Sequence, residues 1–125
     1  MTVRKSRIWS CFFLPAVEAR ALLVWQPQVD VYRAPEGWVV KMDLAGVRPQ
    51  DVSIAVRGSQ LRVSGMRHDR IVEEGWSHYA MEIAYDRFER TIELPCNLEH
   101  ARITVEGRDG MLLLRIVAKE GSDHV

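Results

Sequence analysis

After Trp25 the apolar residues fall into short runs, separated by turn-forming residues every eight to twelve positions, which is the spacing of an antiparallel sandwich. Eight runs predict strands: Gln28 to Arg33, Trp38 to Leu44, Asp51 to Arg57, Leu61 to Ser64, Tyr79 to Ala84, Phe88 to Leu94, Arg102 to Glu106 and Met111 to Val117. Several alternate as a pleated strand requires, because successive side chains point to opposite faces. Val52, Ile54 and Val56 oppose Ser53 and Ala55, and Leu61 with Val63, Met81 with Ile83 and Ile103 with Val105 repeat the period of two. The breaks carry turn chemistry: APEG (34 to 37), RG (57 to 58), YDR (85 to 87) and RDG (108 to 110) supply Pro, Asp and Gly, with glycines available for positive φ. AGVRPQD (45 to 51) is a longer connection in which Pro49 has no N–H to give a ladder.

Two segments depart from this rhythm. In DGMLLLRIV (109 to 117), six of the seven residues after Gly110 are apolar, too few for a membrane span of roughly twenty. As a sandwich strand it places Leu112, Leu114 and Ile116 on one face and Met111, Leu113 and Val117 on the other. One set fills the core. The other either needs cover from a neighbouring segment or the N-terminal arm, or is itself core under a sheet edge. The second segment, MRHDRIVEEGWSH (66 to 78), is too long for a hairpin turn. Its charges suggest solvent, but Ile71, Val72 and Trp76 suggest that it packs on something.

The organisation that follows is an apolar N-terminal arm over residues 1–25, a β-sandwich over 26–119 and a short polar tail over 120–125. In the arm, Trp9, Phe12, Phe13, Ala16 and Leu23 recur near helical spacing, so part of it reads as an amphipathic segment in need of a partner surface. Its basic start and the ARA at 19 to 21 look like a secretory signal, but Pro15, Glu18 and Arg20 spoil the cleavage region.

At 125 residues and 47% apolar, the chain fits one domain with arms. Seventeen basic residues against seventeen acidic leave no net field for nucleic acid and little repulsion between copies, so association is expected. Cys11 and Cys96 are too few and too far apart to staple a secreted scaffold, which fits a reducing cytoplasm. No catalytic, cofactor or metal residue is expected. His68, His78, His100 and His124 stand in no ligating spacing, no glycine-rich phosphate loop is present, Ser64-Gly65 lacks a nucleophile elbow, and Glu73-Glu74 reads as solvated charge. The pattern favours a binding protein.

Four stretches, in order and suitably spaced, resemble the alpha-crystallin domain of the small heat-shock protein family. VDVYRAPEGWVVKMDLAGV is similar to its opening strands and D-L-P-G-V turn, with Ala45 in place of proline. PQDVSIAVRGSQLRVSG carries L-x-V-S-G at Leu61, Val63, Ser64 and Gly65, and YDRFERTIELP carries F-x-R-x-x-x-L-P at Phe88, Arg90, Leu94 and Pro95. ARITVEGRDGMLLLRI matches the A-x(n)-G-x-L signature at Ala101, Gly110 and Leu112.

The resemblance implies an all-β, immunoglobulin-like antiparallel sandwich of about seven or eight strands. It implies an ATP-independent holdase for partly unfolded proteins, working as a dimer or small oligomer, of its own copies or mixed with longer relatives, without nucleic acid or stable membrane insertion. It further implies that the loop from Met66 to His78 crosses to the partner and pairs with its Gln28 to Arg33 strand, which makes Val29, Val31, Tyr32, Ile71, Val72, Trp76 and Arg90 the expected dimer contacts. Alternation with Phe88 and Ile92 puts Arg90 on an apolar face, where it needs a carboxylate or carbonyl partner. Trp9, Phe12, Phe13, Leu22, Leu23 and Val24 are expected to meet clients, and Val52, Ile54, Val56 and Ile92 to line a groove for short apolar segments. After Lys119 only EGSDHV follows, without the I-x-I tripeptide of shell-forming relatives, so a dimer or small oligomer is expected rather than a large assembly. The rival reading is an adaptor of the related CS-type co-chaperone sandwich, binding one folded partner.

Overall fold

The computed structural model describes residues 24–117. Seven strands form: β1 (Val29–Ala34), β2 (Gly37–Asp43), β3 (Val52–Arg57), β4 (Gln60–Arg67), β5 (Asp86–Glu93), β6 (Arg102–Arg108) and β7 (Met111–Val117), with one 3-10 turn at Pro49–Asp51. They build two antiparallel sheets, one in the order β1-β2-β7-β6 and one in the order β3-β4-β5. The all-β sandwich expected from the spacing of the runs is the fold.

The alternating residues supply its core. β2 gives Val40 and Met42, β4 gives Leu61 and Val63, β5 gives Phe88 and Ile92, and β7 gives Leu112, Leu114 and Ile116, all buried between the sheets with Leu44, Val47, Leu94 and Leu98. Burying each such side chain stabilises the fold by roughly 1.5–3 kcal/mol relative to exposure. The edge strands β1, β3 and β6 send in side chains that are only partly covered, among them Val29, Ile54 and Ile103.

Local chemistry fixes the hairpins. In the RDG turn, Asp109 (φ 52) and Gly110 (φ 79) are both left-handed, and Arg108 pairs with Met111 across them. That is the two-residue type I′ turn whose twist matches the strands it joins. APEG closes β1 on β2, and RG closes β3 on β4. YDR does not close a hairpin; it is the entry to β5, with Asp86 at φ 71.

The apolar run at 111–117 resolves into two unequal faces. Leu112, Leu114 and Ile116 are fully buried, whereas on the outer face Leu113 is 7% exposed and Met111 and Val117 are half-buried. Leu113 stands in register between Lys41 of β2 and Glu106 of β6, and Glu106 is tied to Arg115 by a 2.9 Å ion pair beside it. Central position within the sheet, with long polar neighbours on either side, gives it cover.

Two expectations need correction. The run from Tyr79 to Ala84 forms no strand: Tyr79 and Ile83 are exposed, and the segment pairs with nothing. Alternation specifies the faces of a strand, but a strand also needs a partner, and among the described residues this segment pairs neither with β4, flanked by β3 and β5, nor with any outer strand. The long connection is accordingly residues 68–85 rather than 66–78, since Met66 and Arg67 extend β4 opposite Arg87 and Asp86.

Candidate functional site

β1 ends its sheet, so the outer row of its main-chain donors and acceptors has no partner among the described residues. Directly paired residues share a face, so Val31, opposite Val40, points to the core side; it is nonetheless 42% exposed because the three-stranded sheet does not reach it. Tyr32 lies on the outer face, where Lys41 Nζ donates to its hydroxyl at 2.8 Å and sits 4.9 Å from its ring. That bond holds the Lys41 ammonium above its ordinary pKa. Val29, the remaining contact expected on β1, is half-buried against the core.

The loop at 68–85 presents the opposite situation. Ile71 is 78% exposed, and Val72, Trp76, Tyr79 and Ile83 are exposed as well. With Met81 and Tyr85, several of them surround a shallow hollow of about 390 Å³. Among the described residues nothing covers these side chains. The loop is fastened only at its roots. Arg70 Nη2 reaches Asp51 Oδ2 at 3.5 Å, where Arg48 Nε also binds at 3.2 Å. The hydrogen bond from Arg48 is the main reason the Asp51 carboxyl sits below its ordinary value of 3.8.

Arg67, at the end of β4, fastens the other root. Its Nε and Nη2 both donate to the Ala84 carbonyl, at 2.9 and 2.6 Å, and Nη1 donates to the Ala45 carbonyl at 3.4 Å. The guanidinium also lies 4.5 Å from the Trp25 ring and 5.6 Å from the Tyr85 ring. Burial lowers its pKa without depriving it of its charge. Sequence reasoning missed Arg67, Trp25 and Tyr85, since no spacing links positions so far apart.

Arg90 occupies the inward face of β5 between Phe88 and Ile92, opposite Val63. Its Nη1 donates to the Pro27 carbonyl at 2.9 Å, a partner of the kind its position demands. It thereby holds the segment that leads from beside β5, where Trp25 bridges Phe88, into β1.

The expected groove residues separate. Val52, Ile54 and Val56 line the inward face of β3, partly covered, at the edge of their sheet. Ile92 does not join them: it is buried on β5, on the far side of β4. The facing wall comes instead from β6, the edge of the other sheet, through Ile103 and Val105, which are partly covered in the same way. The two edges approach at one end, where a Cβ on Gly107 would lie 3.7 Å from Pro49 Cδ. The period of two puts Ile103 and Val105 on one face of their strand; that this face is the inward one is given by the structure.

Of the residues expected to meet clients, Trp9, Phe12, Phe13, Leu22 and Leu23 lie outside the described residues, as do Cys11, His124 and the tail at 120–125; Val24 is exposed. Cys96 is a half-buried free thiol whose pKa burial pushes up. Among the described residues no group of three or more His, Cys, Asp or Glu is placed to hold a metal ion, and no helix is long and apolar enough to cross a membrane.

A two-layer antiparallel sandwich with a long loop between β4 and β5 defines the class: an immunoglobulin-like β-domain with open edges. Residues 30–124 match the model of the Hsp20/alpha crystallin family, and the chain belongs to that family. It is 26% identical over 94 residues to small heat shock protein C2 of Rickettsia felis, covering 75% of this chain and 61% of that protein. It is 31% identical over 90 residues to the 22.7 kDa class IV heat shock protein of Pisum sativum, covering 71% of this chain and 46% of that one. The chain thus spans about half to three fifths of the curated relatives it matches. Among solved structures, hspA of Xanthomonas axonopodis superposes with a TM-score of 0.62 at 29% identity, over 78% of this chain and 97% of that one.

Proposed function

We propose that this chain is a nucleotide-independent holdase that works as a dimer or small oligomer, keeping partly unfolded proteins from aggregating. The observation that carries the reading is the pairing of unlike surfaces on one sandwich. An open strand edge at β1 and an uncovered apolar loop at 68–85 complement each other between two copies, not within one. The loop's Ile71, Val72 and Trp76 would lie against Val31 and Tyr32 of a second copy. Membership of the Hsp20/alpha crystallin family and relatives named as heat shock proteins support a chaperone role. Partly covered apolar rows on β3 and β6 offer a second docking place, for short apolar segments. Two widely spaced cysteines suit a reducing cytoplasm.

Binding of this kind uses apolar burial, roughly 25 cal/mol per Å², which makes each contact weak after ordering costs and useful through repetition on one assembly. The test is light scattering of an unrelated thermolabile enzyme, heated with and without this protein and without nucleotide. Suppression near one subunit per client is expected. Unhindered aggregation would overturn the reading.

A further inference from the structure

Stretches that are distant in sequence converge on the guanidinium of Arg67. Trp25 belongs to the strip that precedes β1, and Ala84 and Tyr85 to the return of the long loop. The main-chain pairing of the strip with β5 is a single parallel bridge opposite Phe88, Trp25 N–H donating to the Arg87 carbonyl at 3.1 Å and Glu89 N–H to the Trp25 carbonyl at 3.0 Å, beside the Arg90 bond to the Pro27 carbonyl and the contact of the Trp25 and Phe88 rings. We propose that Arg67 is a coupling residue. It makes the docking of the strip on β5 and the seating of the loop return one event, so that lifting either releases the other.

The geometry of the group is the reason. A guanidinium is planar, and its edge carries fixed donors while its two faces stay free for rings. Here two nitrogens are spent on the Ala84 carbonyl and the third on the Ala45 carbonyl, while Cζ lies 4.5 Å from the Trp25 ring and 5.6 Å from the Tyr85 ring. If the Trp25 ring leaves, water reaches the guanidinium and competes for its bonds to Ala84. If the Ala84–Tyr85 stretch leaves, the guanidinium loses its two shortest hydrogen bonds, keeping only the 3.4 Å bond to the Ala45 carbonyl, and is held less firmly beside the Trp25 ring. A second link runs alongside, since Trp25 Nε1 donates to the Asp86 carbonyl at 3.3 Å. Asp86 is a non-glycine residue held at φ 71, a conformation that persists only while its surroundings enforce it. Opening would therefore uncover the edge of β5 at Arg87 and Glu89, together with the buried ring of Phe88, at the moment the loop is freed. Nothing in this inference depends on the chaperone reading.

The test perturbs one side and reads the other, on the full chain. Trp25→Leu should speed initial chymotryptic cleavage after Tyr85 by roughly tenfold relative to cleavage after Tyr79, which is fully exposed from the start. Tyr85→Leu should raise hydrogen exchange of the Glu89 amide by a similar factor. Arg67→Lys, which keeps the charge but neither the fork nor the planar faces, should produce both changes. In every variant the amides of β2 and β7 should keep their protection. A change confined to the perturbed side overturns the proposal. So does loosening of β2 and β7 by the same factor, which would assign Arg67 a plain structural role.

Discussion

A methyl group built on Gly65 would lie 2.6 Å from the Asp51 carbonyl oxygen and 2.9 Å from Phe88 Cζ, too close for either to accept it. The glycine of the L-x-V-S-G stretch thus lets β4 pass under the 3-10 turn and over the Phe88 ring. Gly65→Ala is expected to destabilise the fold by about 1–3 kcal/mol, as overpacking does, seen as a lower midpoint in thermal or urea denaturation. In the sequence this glycine was legible as a marker but not as a mechanism, because Asp51 and Phe88 are remote from it along the chain. Asp109 and Gly110 were legible in full, since a two-residue turn is decided by the residues within it.

At the scale of elements, periodicity located the strands that the fold keeps and one that it does not. Met81 and Ile83 alternate as well as Ile103 and Val105 do, yet only the second pair has a neighbouring strand in β7. Period identifies a face; pairing is a property of the rest of the chain. The same loop is moored through Asp51, whose lowered carboxyl pKa makes its contribution dependent on pH. A carboxyl held lower in the folded state than in the unfolded one adds stability above its unfolded value and loses it as pH falls through the folded one. Asp51→Asn should therefore melt below the parent protein at neutral pH, and the gap should close as pH drops beneath 3.8. Melting curves across that range check it; a gap that persists in acid would rule the mooring out.

For the whole molecule, two residues report on the assembly from different places. Arg90→Gly removes the donor that holds the Pro27 carbonyl and should loosen the crossing segment into β1, lowering the sedimentation coefficient of the protein at moderate concentration. Trp76→Asp puts a charge on the exposed loop without touching the core and should lower it as well, with the melting of the single chain unchanged. Retention of the parent's mass in both would remove the roles given to Arg90 and Trp76 in the assembly, and a parent that sediments as a monomer would remove the dimer reading. The sandwich itself was readable because one chain contains all of it: Val40, Leu61, Leu114 and their neighbours find each other inside the same molecule. The candidate site was readable only as unfinished business. Ile71 and Trp76 are out of place in a charged loop, and among the described residues they stay exposed. The period of two in β3 declares its own inward face, but that Ile92 lies on β5, beyond β4, is a property of the topology and not of the local sequence.

The free margin of β1 has a broader consequence. Main-chain N–H and C=O groups carry no label of the side chains between them, so a margin of this kind recognises the length and twist of an incoming ribbon far more than its residues. In the proposed dimer, such a margin would tolerate wide changes in the composition of the incoming ribbon provided its length and twist are kept.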